Sequence, residues 1–424
     1  MSAPEATPRQ LGAWALYDWA SSPFFAVILT FVFATYFTQG VAVNEIEGTA
    51  QWGLAISLSG VAIAVFSPIL GAIADIGGRR KPWLLAFTVA AALATSLLWL
   101  IEPEPGFIVM ALVLVFIANT SLEFGQAFYN SMLPDLASSR TLGRWSGRGW
   151  SLGYVAGIVV LVLLFFGVIN QDPPPFGLDA ATAEPVRLVG PVVALWMLLF
   201  ALPLFLITPD RPRVAMRMGT AARMGLGNLW RTLRSLGPQS QVLRFLTARL
   251  LYNDGLNTLF TFGGIYAAGT FGMTTSEIML FAIALNISAG IGSFAFGYID
   301  DRLGSKQTVL LAVAGLALFG IGALLVQDKQ TFFALGVLIG LFVGPAQSAS
   351  RTLMARLAPP AQRTEMFGLY ALSGKVTAFV GPLLFGAATV AFGTQRAGMG
   401  VVVVMLALGG LLLLVWVREP AHDN

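Results

Sequence analysis

Cysteine is absent from this 424-residue chain, so no disulfide, iron–sulfur cluster or thiol nucleophile can be built from it. Only one histidine is present, His422 in the tail, which removes the common histidine-based metal sets and nucleophile–base pairs. Charge is scarce as well. Asp, Glu, Lys and Arg make up 11% of the residues, against about 25% in a soluble domain, too few to cover a water-facing surface. Complete cofactor signatures are missing. Gly374-Lys375 lacks the Ser or Thr that a phosphate loop needs next, and no Gly-x-Gly-x-x-Gly follows a strand. Gly149-Trp150-Ser151-Leu152-Gly153 has the spelling of a nucleophile elbow, but the elbow requires a strand-to-helix turn and a histidine base. Enzymatic, metal-binding and cofactor-binding readings are therefore disfavoured, and an intramembrane enzyme would have to rest on carboxylates alone.

What the chain does have is apolar length. Hydrophobic residues make up 56% of it, in runs of about 20 residues, the length that crosses a bilayer at 1.5 Å per residue. Spans are expected near 11–39, 52–74, 82–101, 107–135, 147–169 and 188–208, then near 241–270, 277–299, 307–326, 331–350, 364–391 and 397–417. The arginine-rich stretch 209–240, with a short amphipathic segment around Leu229 to Leu236, divides the chain into a six-helix half at 1–208 and another at 241–424. The first apolar run is too long for a signal peptide and reads as an uncleaved span. The expected fold is an all-α membrane protein of about twelve transmembrane helices in two pseudo-symmetric halves.

Basic residues alternate between loops. Of the 25 Lys and Arg residues, twenty fall on the side that carries both termini, Arg351 among them, while Arg187, Lys329 and Arg396 fall on the other and Arg249 and Lys375 inside spans. This is the positive-inside asymmetry, which predicts cytoplasmic termini in a bacterial inner (plasma) membrane. It also accounts for the net charge of +4 without a nucleic-acid partner. The halves repeat one another too: Gly71-x-x-x-Asp75-x-x-Gly78-Arg79-Arg80-Lys81 is echoed by Gly297-x-x-x-Asp301-Arg302-x-Gly304-x-Lys306, and Leu16-Tyr17-Asp18 by Leu251-Tyr252-Asn253-Asp254.

The first of these loops resembles the signature loop of the major facilitator superfamily. Tyr17-Asp18-Trp19-Ala20, Phe128-Tyr129-Asn130-Ser131-Met132-Leu133-Pro134, Leu251-Tyr252-Asn253-Asp254-Gly255 and the run from Gly344-Pro345 to Ser350-Arg351 are similar to the vacuole effluxer family, which joins fungal vacuolar amino-acid exporters to a large bacterial group. The likeness covers essentially the whole chain. It implies a secondary transporter working by alternating access, with a small-molecule cargo that is a small polar organic solute such as an amino acid. Two departures stand out: Ile76 replaces the basic residue usual after the loop aspartate, and Ser21 and Ala346 stand where the family more often has Asn.

A polar group near the bilayer midplane is costly unless it faces a cavity or a partner. Asn119, Glu123, Gln126 and Asn130 fall on one face of the fourth span, and Arg249, Asn253 and Asn257 on one face of the seventh, with Tyr252 and Asp254 beside them. With Asp18, Tyr17 and Lys375 they form the candidate substrate and ion site. Three acids against two bases leave one carboxylate over, so proton coupling is expected, with Asp18 or Glu123 as carrier. Structural ion pairs between helices are the alternative for any one of these charges. Asp75 and Asp301 sit where a carboxylate can pair with arginine or with a neighbouring helix N-terminus; the resemblance to the superfamily implies that they form a gate with Arg79, Arg80 and Arg302, and a solvated loop with ordinary positive-inside charge is the alternative. Gly149, Gly153, Gly157 and Gly336, Gly340, Gly344 read as packing seams. The expected protein is a monomer among membrane lipids, without cofactor or metal. A lipid-handling or receptor-like protein on the same fold is the competing reading, and it predicts a laterally open, apolar cavity.

Overall fold

The computed structural model describes residues 6–212, 214, 218–235 and 240–419. Arg213, Arg217, Leu236 and His422 of the charge and linker readings lie outside them. Among the described residues all regular structure is helical. Eleven helices are long and apolar enough to cross a membrane: Pro8–Val41, Glu45–Gly77, Lys81–Leu100, Pro105–Leu136, Leu142–Ile169, Glu184–Ile207, Glu277–Leu303, Ser305–Leu325, Lys329–Leu357, Pro360–Phe392 and Gln395–Trp416. Another, Gln241–Phe271, matches them in length at 31 residues. Arg244, Arg249, Asn253, Asp254 and Asn257 are what lower its hydropathy. Counted seventh, it completes twelve spans, and an even number returns both ends of the chain to one face, the terminal face.

The span starts are written in cap residues. Thr7 and Gln10 close a reciprocal capping box on the first span, Thr274 and Glu277 do so on the eighth, and Asn44 accepts from the Glu47 amide at 2.9 Å on the second. Asp328, between spans nine and ten, accepts from the Thr331 amide at 2.8 Å, and that bond holds its carboxyl below the usual carboxylate range.

The first and the eleventh spans depart from a regular helix in their interiors. The first is α-helical to Pro23 and then opens into wider π-turns over Phe24–Phe31 and Phe37–Val41, with one α-helical turn at Phe33–Tyr36 between them, as follows when proline interrupts the backbone ladder. The eleventh, expected near 364–391 with Pro382 as a place for a kink or an end, splits into Arg363–Lys375 and Val380–Phe392. Gly381-Pro382 is the cause: Pro382 has no N–H and its ring clashes with the carbonyl four residues back, while the residue before a proline disfavours the helical region.

The internal repeat becomes geometry at two crossings on the terminal side. A Cβ at Gly71 of the second span would stand 2.5 Å from the Thr364 oxygen of the eleventh, and one at Gly368 would stand 2.6 Å from the Ser67 oxygen. A Cβ at Gly147 of the fifth span would stand 2.2 Å from the Ser293 oxygen of the eighth, and one at Gly297 would stand 2.9 Å from the Gly143 oxygen. Only glycine admits backbones this close. The expected seams are present too: Gly149 and Gly153 lie against Asp18 and Ser22 of the first span, and Gly336, Gly340 and Gly344 against Phe281, Leu285 and Ala289 of the eighth.

A second repeat had not been read from the sequence. Asp210, just after the sixth span, accepts from the amides of Arg80 and Lys81, each at 3.1 Å, at the start of the third. Glu419, just after the twelfth, accepts from Ser305 and Lys306 at 3.0 and 2.7 Å at the start of the ninth. Both carboxylates sit on positive helix ends. The linker stretch holds a helix, Met218–Ser235, longer than the expected segment, and it lies on the second span where Gly225 meets Ala72 and Ile73.

Candidate functional site

From the terminal face inward, the halves are joined by layers of polar contacts. In the outermost layer Asp75 accepts from the Glu365 amide at 2.9 Å, near the N-terminus of the eleventh span, and Asp301 accepts from the Gly143 amide at 2.8 Å, at the N-terminus of the fifth. Each aspartate of the repeated loop thus caps a helix of the other half. Arg80 is 1% exposed. It donates to Thr364 Oγ1 and to the Ser131 carbonyl, both at 2.8 Å, and pairs with Asp135 and Asp75. Arg211 and Arg363 also meet Asp135, and Arg211 lies 3.8 Å from Asp75, supplying a cation that Ile76 does not. Arg144 pairs with Asp301 at 2.6 Å. Of the expected gate, Asp75, Arg80 and Asp301 are engaged, whereas Arg79 and Arg302 are exposed and make no ion pair among the described residues.

The next layer centres on Arg351. The sequence reading put it in a loop; it lies instead within the tenth span, which continues to Leu357, and it is 2% exposed. The apolar Leu353-Met354-Ala355 that follows it was the signal available. Its guanidinium pairs with Asp18 at 3.0 Å, donates to the Ser146 carbonyl and hydroxyl at 2.6 and 2.9 Å, and reaches Asn130 at 3.3 Å. Tyr129 adds a hydroxyl to Asp18 at 2.9 Å, and the rings of Trp14, Tyr129 and Trp150 surround the cation at 5.1 to 5.7 Å. Asp18, expected as a proton carrier, is therefore committed to a buried pair between the halves.

Deepest is Glu123 of the fourth span, bonded to Lys375 of the eleventh at 2.7 Å, with side chains 20% and 30% exposed. Tyr154 of the fifth span donates to Gln347 of the tenth. Beyond these two contacts, toward the other face, no hydrogen bond or ion pair joins the halves among the described residues, whereas the terminal side is tied by the layers above.

The polar face of the fourth span is real, but it meets a different neighbour at each depth. Asn119 bonds Ser59 of the second span at 2.8 Å and is 3% exposed, Gln126 reaches Ser21 of the first at 3.3 Å, and of these four expected residues Glu123 and Asn130 bond across to the other half. Tyr17 and Tyr252 are sealed within their own halves against Thr88 and Ser350, at 2.8 and 2.7 Å. The seventh-span residues serve the broken helix. Arg249 donates to the Tyr370 carbonyl at 3.0 Å and Ser373 at 2.7 Å, in the last turns of the first segment, with Asn253 at 3.3 Å. Asp254 accepts from the Gly381 amide at 2.9 Å, at the start of the second segment. Cation and anion thus match the dipole ends that the break exposes. Asn257 is half-buried nearby. Among the described residues Asp254 has no cationic partner, and one of its oxygens has no partner at all.

Comparison with known proteins agrees with this architecture. The sequence pattern described as "Vacuole effluxer Atg22 like" matches residues 38–144 and 139–422. The MFS-type transporter YxiO of Bacillus subtilis is 24% identical over 420 residues, covering 98% of this chain and 96% of its own. Autophagy-related protein 22 of Coccidioides immitis is 25% identical over 465 residues, covering 91% and 75%. Among solved structures, the Escherichia coli fucose:proton symporter FucP, in its outward conformation, superposes with a TM-score of 0.75 at 15% identity over 97% of this chain and 99% of its own. The chain is a membrane transporter of the major facilitator fold and belongs to the Atg22-like vacuole effluxer family.

Proposed function

We propose that this protein is a secondary transporter that moves an amino acid or a similar zwitterion by alternating access, its halves at 1–208 and 241–424 rocking about the linker 209–240. The observation that carries the reading is the Glu123–Lys375 pair: opposite charges, one from each half, 2.7 Å apart and partly open to solvent. A zwitterion brings an ammonium for Glu123 and a carboxylate for Lys375, so its arrival substitutes for the pair and alters the tie between the halves. That differential contact is what a cargo needs to bias a two-state equilibrium. A charged pair at this depth also fits a polar solute better than lipid.

With the basic loops inside, the terminal face is cytoplasmic in a bacterial inner membrane, and the arrangement described above is the outward-open one. The protein works as a monomer surrounded by lipid. Coupling is to protons, and Asp254 replaces Asp18 and Glu123 as the carrier, because it can exchange a proton without breaking an ion pair.

The test is a thermal-shift screen of the purified protein against amino acids, sugars, nucleosides and peptides, since a ligand raises apparent stability with its concentration over its dissociation constant. An amino acid is expected to register. Glu123→Gln and Lys375→Gln are each expected to weaken it roughly tenfold to a hundredfold, the worth of a hydrogen bond to a charged group. A sugar or nucleoside in its place overturns the cargo class. Uptake by Asp254→Asn that kept its full dependence on a pH gradient would overturn the coupling assignment.

A further inference from the structure

The linker helix Met218–Ser235 carries Arg223, Arg231 and Arg234 and no acid. Gly225, Leu229 and Thr232 are buried on its inner side, while Arg223, Trp230 and Arg234 point outward. Trp230 is 57% and Leu226 46% exposed, and Arg234 stacks over the Trp230 ring at 4.6 Å. A cationic helix with an exposed indole and leucine, lying on the end of a membrane span, is built for the headgroup layer. Between this helix and the turn that precedes Arg363 lies a pocket of ≈ 340 Å³, lined by Asn228, Arg231, Thr232 and Gln362. Gln362 donates to Thr232 across it at 3.0 Å. Arg231 has no carboxylate partner among the described residues; its guanidinium meets only Asn228 and the Gly227 carbonyl of its own helix.

We infer that this pocket binds the phosphate of an anionic phospholipid, with Arg231 as the cation and Asn228 and Gln362 as amide donors. The charge is complementary and the donors are those that phosphate takes. The consequence follows from connectivity. The linker helix rests on the second span at Ala72 and Ile73, close to Asp75, and Gln362 leads into the eleventh span that Asp75 caps. A headgroup held in the pocket therefore braces the second span against the eleventh and favours the arrangement closed on the terminal face. This is independent of what the central cavity carries.

The experiment is a thermal titration of the full chain in neutral detergent with dioleoylphosphatidylglycerol, dioleoylphosphatidylcholine or inorganic phosphate. The anionic lipid is expected to raise the melting temperature in a saturable way and the other two are not. Arg231→Gln is expected to weaken the lipid's apparent affinity roughly fivefold, the worth of one basic contact at an anionic surface. Asn228→Ala should weaken it in the same sense, and Arg140→Gln, at an exposed arginine elsewhere on the terminal face, should leave it unchanged. Both Arg231 and Arg140 are exposed, so neither change threatens the fold. An equal response to phosphatidylcholine, an equal response to phosphate alone, or an undiminished response in Arg231→Gln each overturns the proposal.

Discussion

Replacing Arg351 by methionine is expected to destabilise the protein by about 3–5 kcal/mol, the penalty for leaving a buried charge without its partner. Asp18, 7% exposed, would keep only the Tyr129 hydroxyl, and the Ser146 carbonyl would lose its donor. The melting temperature in detergent is the measurement. Because the loss comes from an orphaned carboxylate rather than from missing attraction, the double variant Asp18→Asn/Arg351→Met should recover most of it. If the double variant melts no higher than the single one, the pair is not the source of the effect. Arg351→Lys should recover little, since an ammonium cannot donate at once to Asp18, Ser146 and Asn130 in the planar spread of a guanidinium.

The second large effect is expected at Gly147. A valine there would place its Cβ 2.2 Å from the Ser293 oxygen and 3.1 Å from the Gly297 backbone, and neither atom belongs to a side chain that can turn aside. The strain, about 1–3 kcal/mol by the cost of overpacking, falls only on the arrangement in which spans five and eight touch. The population should therefore move about fivefold to a hundredfold toward halves separated on the terminal face, and transport should fall with it. Because the chain has no native cysteine, spin labels at Arg140→Cys and Arg302→Cys, exposed positions in opposite halves, report that separation directly. Gly386→Val, at a position with nothing within 4 Å, is the control. An unchanged distance between the labels in Gly147→Val would remove the crossing from the mechanism.

How much of this was legible beforehand depends on what each residue's role requires. The spans, their number and the equivalence of the halves follow from apolar length and from the Gly71–Asp75 and Gly297–Asp301 repeat, because bilayer thickness and local helix capping leave few alternatives. Which polar residues cluster was half-legible: helical spacing put Glu123 and Asn130 on one face correctly. Spacing says nothing about which helix that face meets, so Asn119 turned out to pack against the second span. Arg351 was missed because a cation near a span end looks like an ordinary loop charge until its partner, 333 residues away, is brought beside it. The break in the eleventh span was signalled by Gly381-Pro382, but a kink and a full interruption share that signature. What decides between them is the carboxylate of Asp254 waiting on another helix to accept the freed amide.

The acids that follow the last span of each half bear on the order in which the chain can mature. Ser305 begins the ninth span, but the carboxylate that satisfies its amide belongs to Glu419, 114 residues later, and Arg80 likewise waits 130 residues for Asp210. Each half therefore enters the bilayer with the mouth of its third helix uncapped, and that helix end is satisfied only when the sixth has been delivered. Loop-closure entropy must be met before such non-local contacts form, so each half is finished as a unit, by its final residues, rather than helix by helix.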